Sequence, residues 1–267
     1  MTATLDSDLE TAHAAWHRSV EQRRTAPHGP LSTTSLEWLR PGEQLLDHVP
    51  GAWSLHPDGR ISVHFTLADG VADENLEPVQ AVVLGPFARN EGALLAWRGC
   101  RIDVAERGGE IAVRVRDPDS KDRRDYRGTE TFPPLSRWVI TGRFLPASRQ
   151  EVLVDTAVSG SQQGYSSPGV VEFEIEGEPH RLTLFPGAGA RRARALFADG
   201  TSGERTHPSG RSVEVVLGED GAAMIDFTRA TNPPCAYSDN ATCPFPPPEN
   251  RLAVRIEAGE LRPRIPS

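Results

Sequence analysis

Cysteine is scarce in this 267-residue chain: there are three, an odd number, which fits a reducing compartment better than a disulfide scaffold. Positive charge is also short. Lys and Arg number 29 against 37 Asp and Glu, a net charge of −8, so the basic surface that non-specific nucleic-acid binding needs is missing and no nucleic-acid partner is expected. No window approaches the ~18 consecutive apolar residues of a membrane-spanning helix. The first residues, Met1 to Asp8, lack the basic stretch and apolar run of a secretory signal, so the sequence reads as cytoplasmic, with no membrane partner. In that setting the sequon Asn240-Ala-Thr242 is incidental. The chain also lacks a Gly-x-Ser-x-Gly elbow, a glycine-rich phosphate loop and a dinucleotide fingerprint, so the common hydrolase, kinase and dehydrogenase templates find no support. Internal repeats and low-complexity linkers are absent as well.

What is present describes a soluble, loop-rich globular chain. Hydrophobic residues make up 37% and charged residues 25%, enough for a core and too apolar for disorder, and 24 glycines and 23 prolines punctuate it. Residues 5–24 read as an amphipathic helix, with Leu5, Leu9, Trp16 and Val20 on one face and Ala12 between them. Ser7 and Glu10 have capping-box spacing, which would leave Leu5 just outside as a staple. The opposite face is expected to carry Glu10, Glu21, Arg23 and Arg24. His13 and His17 have the i, i+4 spacing of paired metal ligands. With no third ligand nearby in sequence, they are expected on a solvated face.

From Leu31 onward the period shortens. Runs such as Ile61 to Phe65, Ala81 to Leu84, Leu94 to Trp97, Arg101 to Val104 and Ile111 to Val115 alternate between turn signals at Pro57-Asp-Gly59, Asp69-Gly70, Asn90-Glu-Gly92 and Gly108-Gly109. After Asp117, a charged loop from Ser120 to Tyr126 leads to further strands over 137–141, 151–154, 169–175, 180–185, 193–197, 212–216 and 223–227. Glu176-Gly-Glu-Pro179 reads as a hairpin. The expected fold is mainly β: an N-terminal helix (1–30), a small β-sandwich-like unit (31–116) and a second antiparallel sandwich or barrel unit (117–267). These units could also form one continuous domain.

The second unit carries a proline-rich stretch, Asp226 to Leu252. Pro233, Pro234, Pro244, Pro246, Pro247 and Pro248 exclude an α-helix there and force an extended, rigid path. Asp226-Phe, Asn232-Pro-Pro-Cys-Ala-Tyr, Thr242-Cys-Pro, Pro247-Pro-Glu-Asn-Arg-Leu252 and Ala258-Gly-Glu260 resemble the hallmark of an uncharacterised bacterial and archaeal family, domain of unknown function number 1684. Upstream, Arg116-Asp-Pro, Tyr126-x-Gly128, Asp199-x-Thr-Ser-Gly203 and Gly210-Arg211 extend the likeness. The resemblance implies a shared architecture and brings no reaction with it. Thr228 and Thr231 stand where that pattern has amide and aromatic groups, and His207 where it has Tyr.

Within the stretch, Cys235 and Cys243 have seven residues between them, wider than a compact zinc knuckle. Zinc at Cys235 and Cys243, completed by His207 or His180, is a minority reading, and no cofactor is expected. Buried thiols packing as small hydrophobes are the plainer reading. A nucleophilic thiol would draw on Arg229, Arg251 or His207 to lower its pKa. The leading expectation is an enzyme or small-molecule binder with a pocket under residues 226–252. Its catalytic candidates are Asp226, Cys235 and Arg251. Ligand contacts are expected from Arg211, Asn232, Tyr237, Cys243, Asn250 and Glu260, joined by Arg116, Asp117, Arg123 and Tyr126, where the family pattern also matches. Asp226 or Glu260 would serve as acid or base, and Arg251 or Arg211 would orient an anionic ligand. The alternative is a non-catalytic module that offers its N-terminal sandwich to a protein or peptide.

Overall fold

The helix read over residues 5–24 is present as α1, Thr2–Arg24, in the computed structural model, which describes residues 2–156 and 162–264. It starts before Ser7, so Ser7 and Glu10 lie inside the helix and the expected capping box does not begin it. At about 100° per residue, His13, His17 and Arg24 fall in the same arc as Leu9, Trp16 and Val20. His13 and Arg24 are buried and His17 is half-buried, which corrects the expectation of a solvated histidine face and an outward Arg24. Ala12, expected on the inner face, is exposed.

The chain forms two compact units. One, the sandwich unit, comprises Arg23–Tyr126 and Tyr237–Thr242; the other, the barrel unit, comprises Met1–Gln22, Arg127–Ala236 and Cys243–Ser267.

The sandwich unit contains β1 (Thr33–Leu39), β2 (Gly42–Leu45), β3 (Ala52–Leu55), β4 (Ile61–His64), β5 (Val71–Ala72), β6 (Ala81–Leu84), β7 (Gly92–Trp97), β8 (Cys100–Arg107) and β9 (Glu110–Arg116). They pair antiparallel as a five-stranded sheet, β1-β9-β8-β7-β5, and a four-stranded sheet, β2-β3-β4-β6. Alternation points Leu39, Leu95, Ile102, Val104 and Val113 of one sheet and Trp53, Ile61 and Val63 of the other into a single core. Strand β1 escapes the hydrophobic pattern because its inward positions include Thr33 and Ser35. The expected charged loop after Asp117 is instead a short helix, α2 (Lys121–Asp125). The Ser120 hydroxyl caps it, accepting from the Arg123 N–H at 3.3 Å and donating to the Leu31 carbonyl at 2.8 Å.

The barrel unit contains β10 (Val139–Asp155), β11 (Gln162–Ile175), β12 (Glu178–Thr183), β13 (Phe185–Pro186), β14 (Arg192–Phe197), β15 (Arg211–Leu217) and β16 (Ala222–Asp226). The hairpin at Glu176-Gly177 has φ of 54° and 82°, both positive, as a two-residue primed turn requires and as glycine accepts readily. The seven strands run β12-β11-β10-β16-β15-β14-β13. Only Leu184 separates the two edge strands in the chain, and its N–H donates to the Gly169 carbonyl at 2.9 Å, so the sheet curls until its edges meet. Its concave face holds Phe173, Leu182, Ala195, Phe197, Val215, Ile225 and Phe227. The class is therefore mainly β and antiparallel, as expected. Among the described residues, no helix is long and apolar enough to cross a membrane.

The C-terminal segment enters that core as Ile256 and Ala258. An ion pair with no exposed side-chain surface, Arg211 to Asp199 at 3.3 Å, holds it there. Arg211 also donates to the carbonyls of Ala258 and Ile256, and Asp199 accepts the Ile256 N–H at 2.6 Å. Three residues after Ile256, Gly259 has a φ of 75°, and a Cβ there would lie 2.6 Å from the Ala230 carbonyl oxygen, so the chain passes too close for any side chain. Removing one member of a buried pair strands the other charge. Asp199→Ala should cost about 3–5 kcal/mol, read as a lower urea midpoint at unchanged slope; a loss under about 1 kcal/mol, the range of surface pairs, would show that the pair anchors nothing.

Candidate functional site

Residues 226–252 follow the rigid path that their prolines predict. They contain three single turns of 3₁₀ helix, Phe227–Arg229, Pro234–Ala236 and Pro248–Asn250, and no α-helix. Between the turns the chain is tied to the sheet. Thr231 exchanges backbone hydrogen bonds with Ser212, the Phe245 N–H donates to the Asp155 carbonyl at 2.7 Å, and the Leu252 N–H donates to the Ala198 carbonyl at 2.8 Å. Asn250 is fully buried: its Oδ1 accepts the Thr183 N–H, while Nδ2 donates to the carbonyls of Thr183 and Leu196. Asn232 donates its N–H to Glu260 Oε2 and its Nδ2 to the Leu261 carbonyl, both at 2.7 Å. Glu260 is fully buried. These contacts, with those of Arg211, close the loop onto the barrel.

This closure brings the two late cysteines together. Both are free thiols, with Cys243 buried and Cys235 half-buried, and the Cys235 N–H donates to Cys243 Sγ at 3.1 Å. A hydrogen bond from the Cys243 side chain pulls the Cys235 thiol below its ordinary pKa; partial burial opposes this, and the Ser209 hydroxyl assists it. His207 sits beside this group, its Nδ1 accepting the Ser209 N–H at 3.2 Å. Burial, reinforced by Arg262, lowers the His207 pKa and keeps the ring neutral near neutral pH. Its proton therefore resides on Nε2, and the ring positions Ser209. Nothing in the local sequence around Ser209 sets it apart; only its place beside Cys235 and His207 does.

The remaining candidates divide between the units. In the barrel unit, Asp226 caps the turn after β16, accepting from the Thr228 N–H and hydroxyl and pairing with Arg229 Nε at 3.1 Å. Arg251 is exposed and bridges to Ala198 through its backbone. In the sandwich unit, Arg116 donates to Asp103 through Nε and Nη2 and to the His28 carbonyl through Nη1. Asp117 accepts the Asp119 N–H in a tight turn, and Arg123 donates to the carbonyls of Thr25 and Pro118. Tyr126 accepts from Arg24 at 3.0 Å, and the Arg24 guanidinium lies 4.3 Å from the centre of the Tyr237 ring. Surface cavities of about 610 and 450 Å³ run along β7 in this unit, and one of about 620 Å³ lies over Glu172, Phe173 and His180 in the barrel unit; none of the three is lined by residues 226–252.

A family model described as a protein of unknown function (DUF1684) matches residues 124–261. The chain belongs to this family. The match covers the loop, both thiols, Ser209, Arg211 and Glu260, so the features that close the barrel lie in the part of the chain that defines the family. Among solved structures, the chain is similar to the uncharacterised protein from gene locus rrnAC0354 of Haloarcula marismortui, determined by solution NMR. The identity is 27% over 52% of this chain and 78% of that one, with a TM-score of 0.43. No curated protein matches.

The thiols give this geometry a direct readout. Burial and the neighbouring Asp117 raise the pKa of Cys100, the third cysteine, whereas that of Cys235 is lowered. Iodoacetamide should therefore label Cys235 first as pH rises, followed site by site by mass spectrometry. Replacing Cys243 by Ala should move the Cys235 labelling profile to higher pH; an unmoved profile would mean that Cys243 does not activate it.

Proposed function

We propose that the protein is a thiol enzyme acting on a low-molecular-weight disulfide, with Cys235 as the attacking sulfur and Cys243 as the resolving one. The observation that carries this reading is the asymmetry of the pair: a half-buried thiol of lowered pKa held against a buried thiol on a proline-stiffened loop. Thiol–disulfide exchange uses that asymmetry, because the thiolate is the nucleophile and its partner needs only to reach it.

In the first step the Cys235 thiolate attacks one substrate sulfur. The substrate S–S bond breaks, a mixed disulfide forms, and the leaving thiolate takes up the proton that Cys235 gave up. Cys243 then loses its proton and attacks the Cys235 sulfur, releasing the second substrate thiol. The substrate disulfide is reduced to two thiols, and Cys235 and Cys243 are oxidised to an intramolecular disulfide. A dithiol reductant returns the enzyme to its starting state. The Ser209 hydroxyl steadies the thiolate, and the neutral His207 holds Ser209 in place. The reading fits a cytoplasmic setting, where thiols are kept reduced.

Incubation with oxidised glutathione tests this on the whole chain. The wild type should lose the two thiol hydrogens by forming the 235–243 disulfide, Cys243→Ser should accumulate a glutathione adduct at Cys235, and Cys235→Ser should form neither. Adducts at Cys100 alone would overturn the reading.

A second reading rests on the sandwich unit, where Arg101, Arg107, Arg116 and His28 line the cavity of about 450 Å³. Burial lowers the pKa of His28, and Arg101 lowers it further, so the ring is neutral; Asp103, which also lines the cavity, pairs with Arg116, and Arg101 and Arg107 leave the lining net positive. This favours capture of an acidic peptide. Double reversal, Arg101→Glu with Arg107→Glu, should abolish salt-sensitive binding of a poly-glutamate peptide; unchanged binding would rule out this cavity.

A further inference from the structure

The buried face of α1 carries more chemistry than a core helix needs. His13, His17 and Glu21 follow one another at successive turns, and Glu260 comes to them from the far end of the chain. Candidate ligand atoms of His17, Glu21 and Glu260 all lie within 4.8 Å of one another. His17 Nε2 is 3.9 Å from Glu21 Oε1, too long for a hydrogen bond, and it is shielded from solvent without a hydrogen-bond partner. One turn earlier, the buried ring of His13 stacks on that of His17 at an interplanar angle of 12°. His13 hydrogen-bonds the Thr228 carbonyl, and because its Nε2 has no partner, the bond uses Nδ1–H and leaves the Nε2 lone pair available.

We propose that His17, Glu21 and Glu260 form a binding site for a first-row divalent cation of the zinc class. An imidazole nitrogen and two carboxylates supply three protein ligands of borderline and hard character, the number that leaves a coordination position open. The cation would bind in the space that the three groups enclose, drawing its charge complement from the two carboxylates. Glu260 is held as an outer-shell hydrogen bond holds a metal ligand: its Oε2 accepts the Asn232 N–H at 2.7 Å, and Gly259 allows the chain to approach Ala230. The site is distinct from the thiol pair and independent of the disulfide reading.

Isothermal titration of metal-free protein with zinc sulfate tests it, in a Cys235→Ser, Cys243→Ser background that removes thiolate ligands. One equivalent should bind. His17→Asn and Glu21→Gln change half-buried positions on the helix, should leave the fold intact by circular dichroism, and should each weaken binding by at least about tenfold. His180→Asn should leave it unchanged. Cobalt in place of zinc should give a visible spectrum without a thiolate charge-transfer band in wild-type protein. Absence of binding in the double-serine background, or binding indifferent to His17→Asn and Glu21→Gln, would overturn the proposal.

Discussion

The barrel unit depends on one buried ion pair. Without Asp199 opposite Arg211, the buried guanidinium would lose its nearest counter-charge, and the C-terminal segment would lose the carboxylate that accepts the Ile256 N–H and the partner that holds Arg211 on the Ile256 and Ala258 carbonyls. Everything beyond that segment inherits its position. Glu260 follows Ala258 by one glycine, Asn232 is tied to Glu260 by its amide, and the Pro-Pro-Cys turn begins at the next residue. A pair that contributes little net stability beside an apolar substitute still fixes which strand ends meet, because any other register leaves a charge unpaired.

Proline supplies the second constraint. A loop as long as residues 226–252 would have high conformational entropy if it were glycine-rich, and two thiols placed on it would meet only briefly. Six prolines and the backbone bonds to Ser212, Asp155 and Ala198 remove that freedom in the folded chain. The Cys235 N–H can then rest on Cys243 Sγ at 3.1 Å. The lowering of the Cys235 pKa therefore follows from tertiary closure, through the Cys243 side chain, and not from a cationic neighbour: Arg229 pairs with Asp226, and His207 is neutral.

Local periodicity made much of the fold legible. Strands with apolar inward positions, such as Ile61–His64, Ala81–Leu84 and Ala222–Asp226, stand out, and so does the Glu176-Gly177 turn. Strand Thr33–Leu39 does not, because Thr33 and Ser35 occupy inward positions, where the Ser35 hydroxyl accepts the Val115 N–H, a contact that alternation cannot show. The Ser120 to Tyr126 segment looked like a charged loop because five residues are too few for a helical period, whereas its Ser120 cap depends on Leu31. The histidines of α1 are visible in the sequence as an i, i+4 pair, but their carboxylate neighbour Glu260 lies at the other end of the chain, so local spacing gives no sign of it.

By itself, the sequence determined the mainly β class, the helical N-terminus, the stiffness of the late loop and its family resemblance. All of these follow from period, proline content and motif, which neighbouring residues carry. Only the tertiary structure decided that the barrel sheet curls until its edges meet, that Arg211 is a buried anchor, that Cys235 and Cys243 face each other, and that His17 looks onto two carboxylates. Each of these is a meeting of residues far apart in the chain, and its energy comes from desolvation and pairing, which exist only once the sheet has closed.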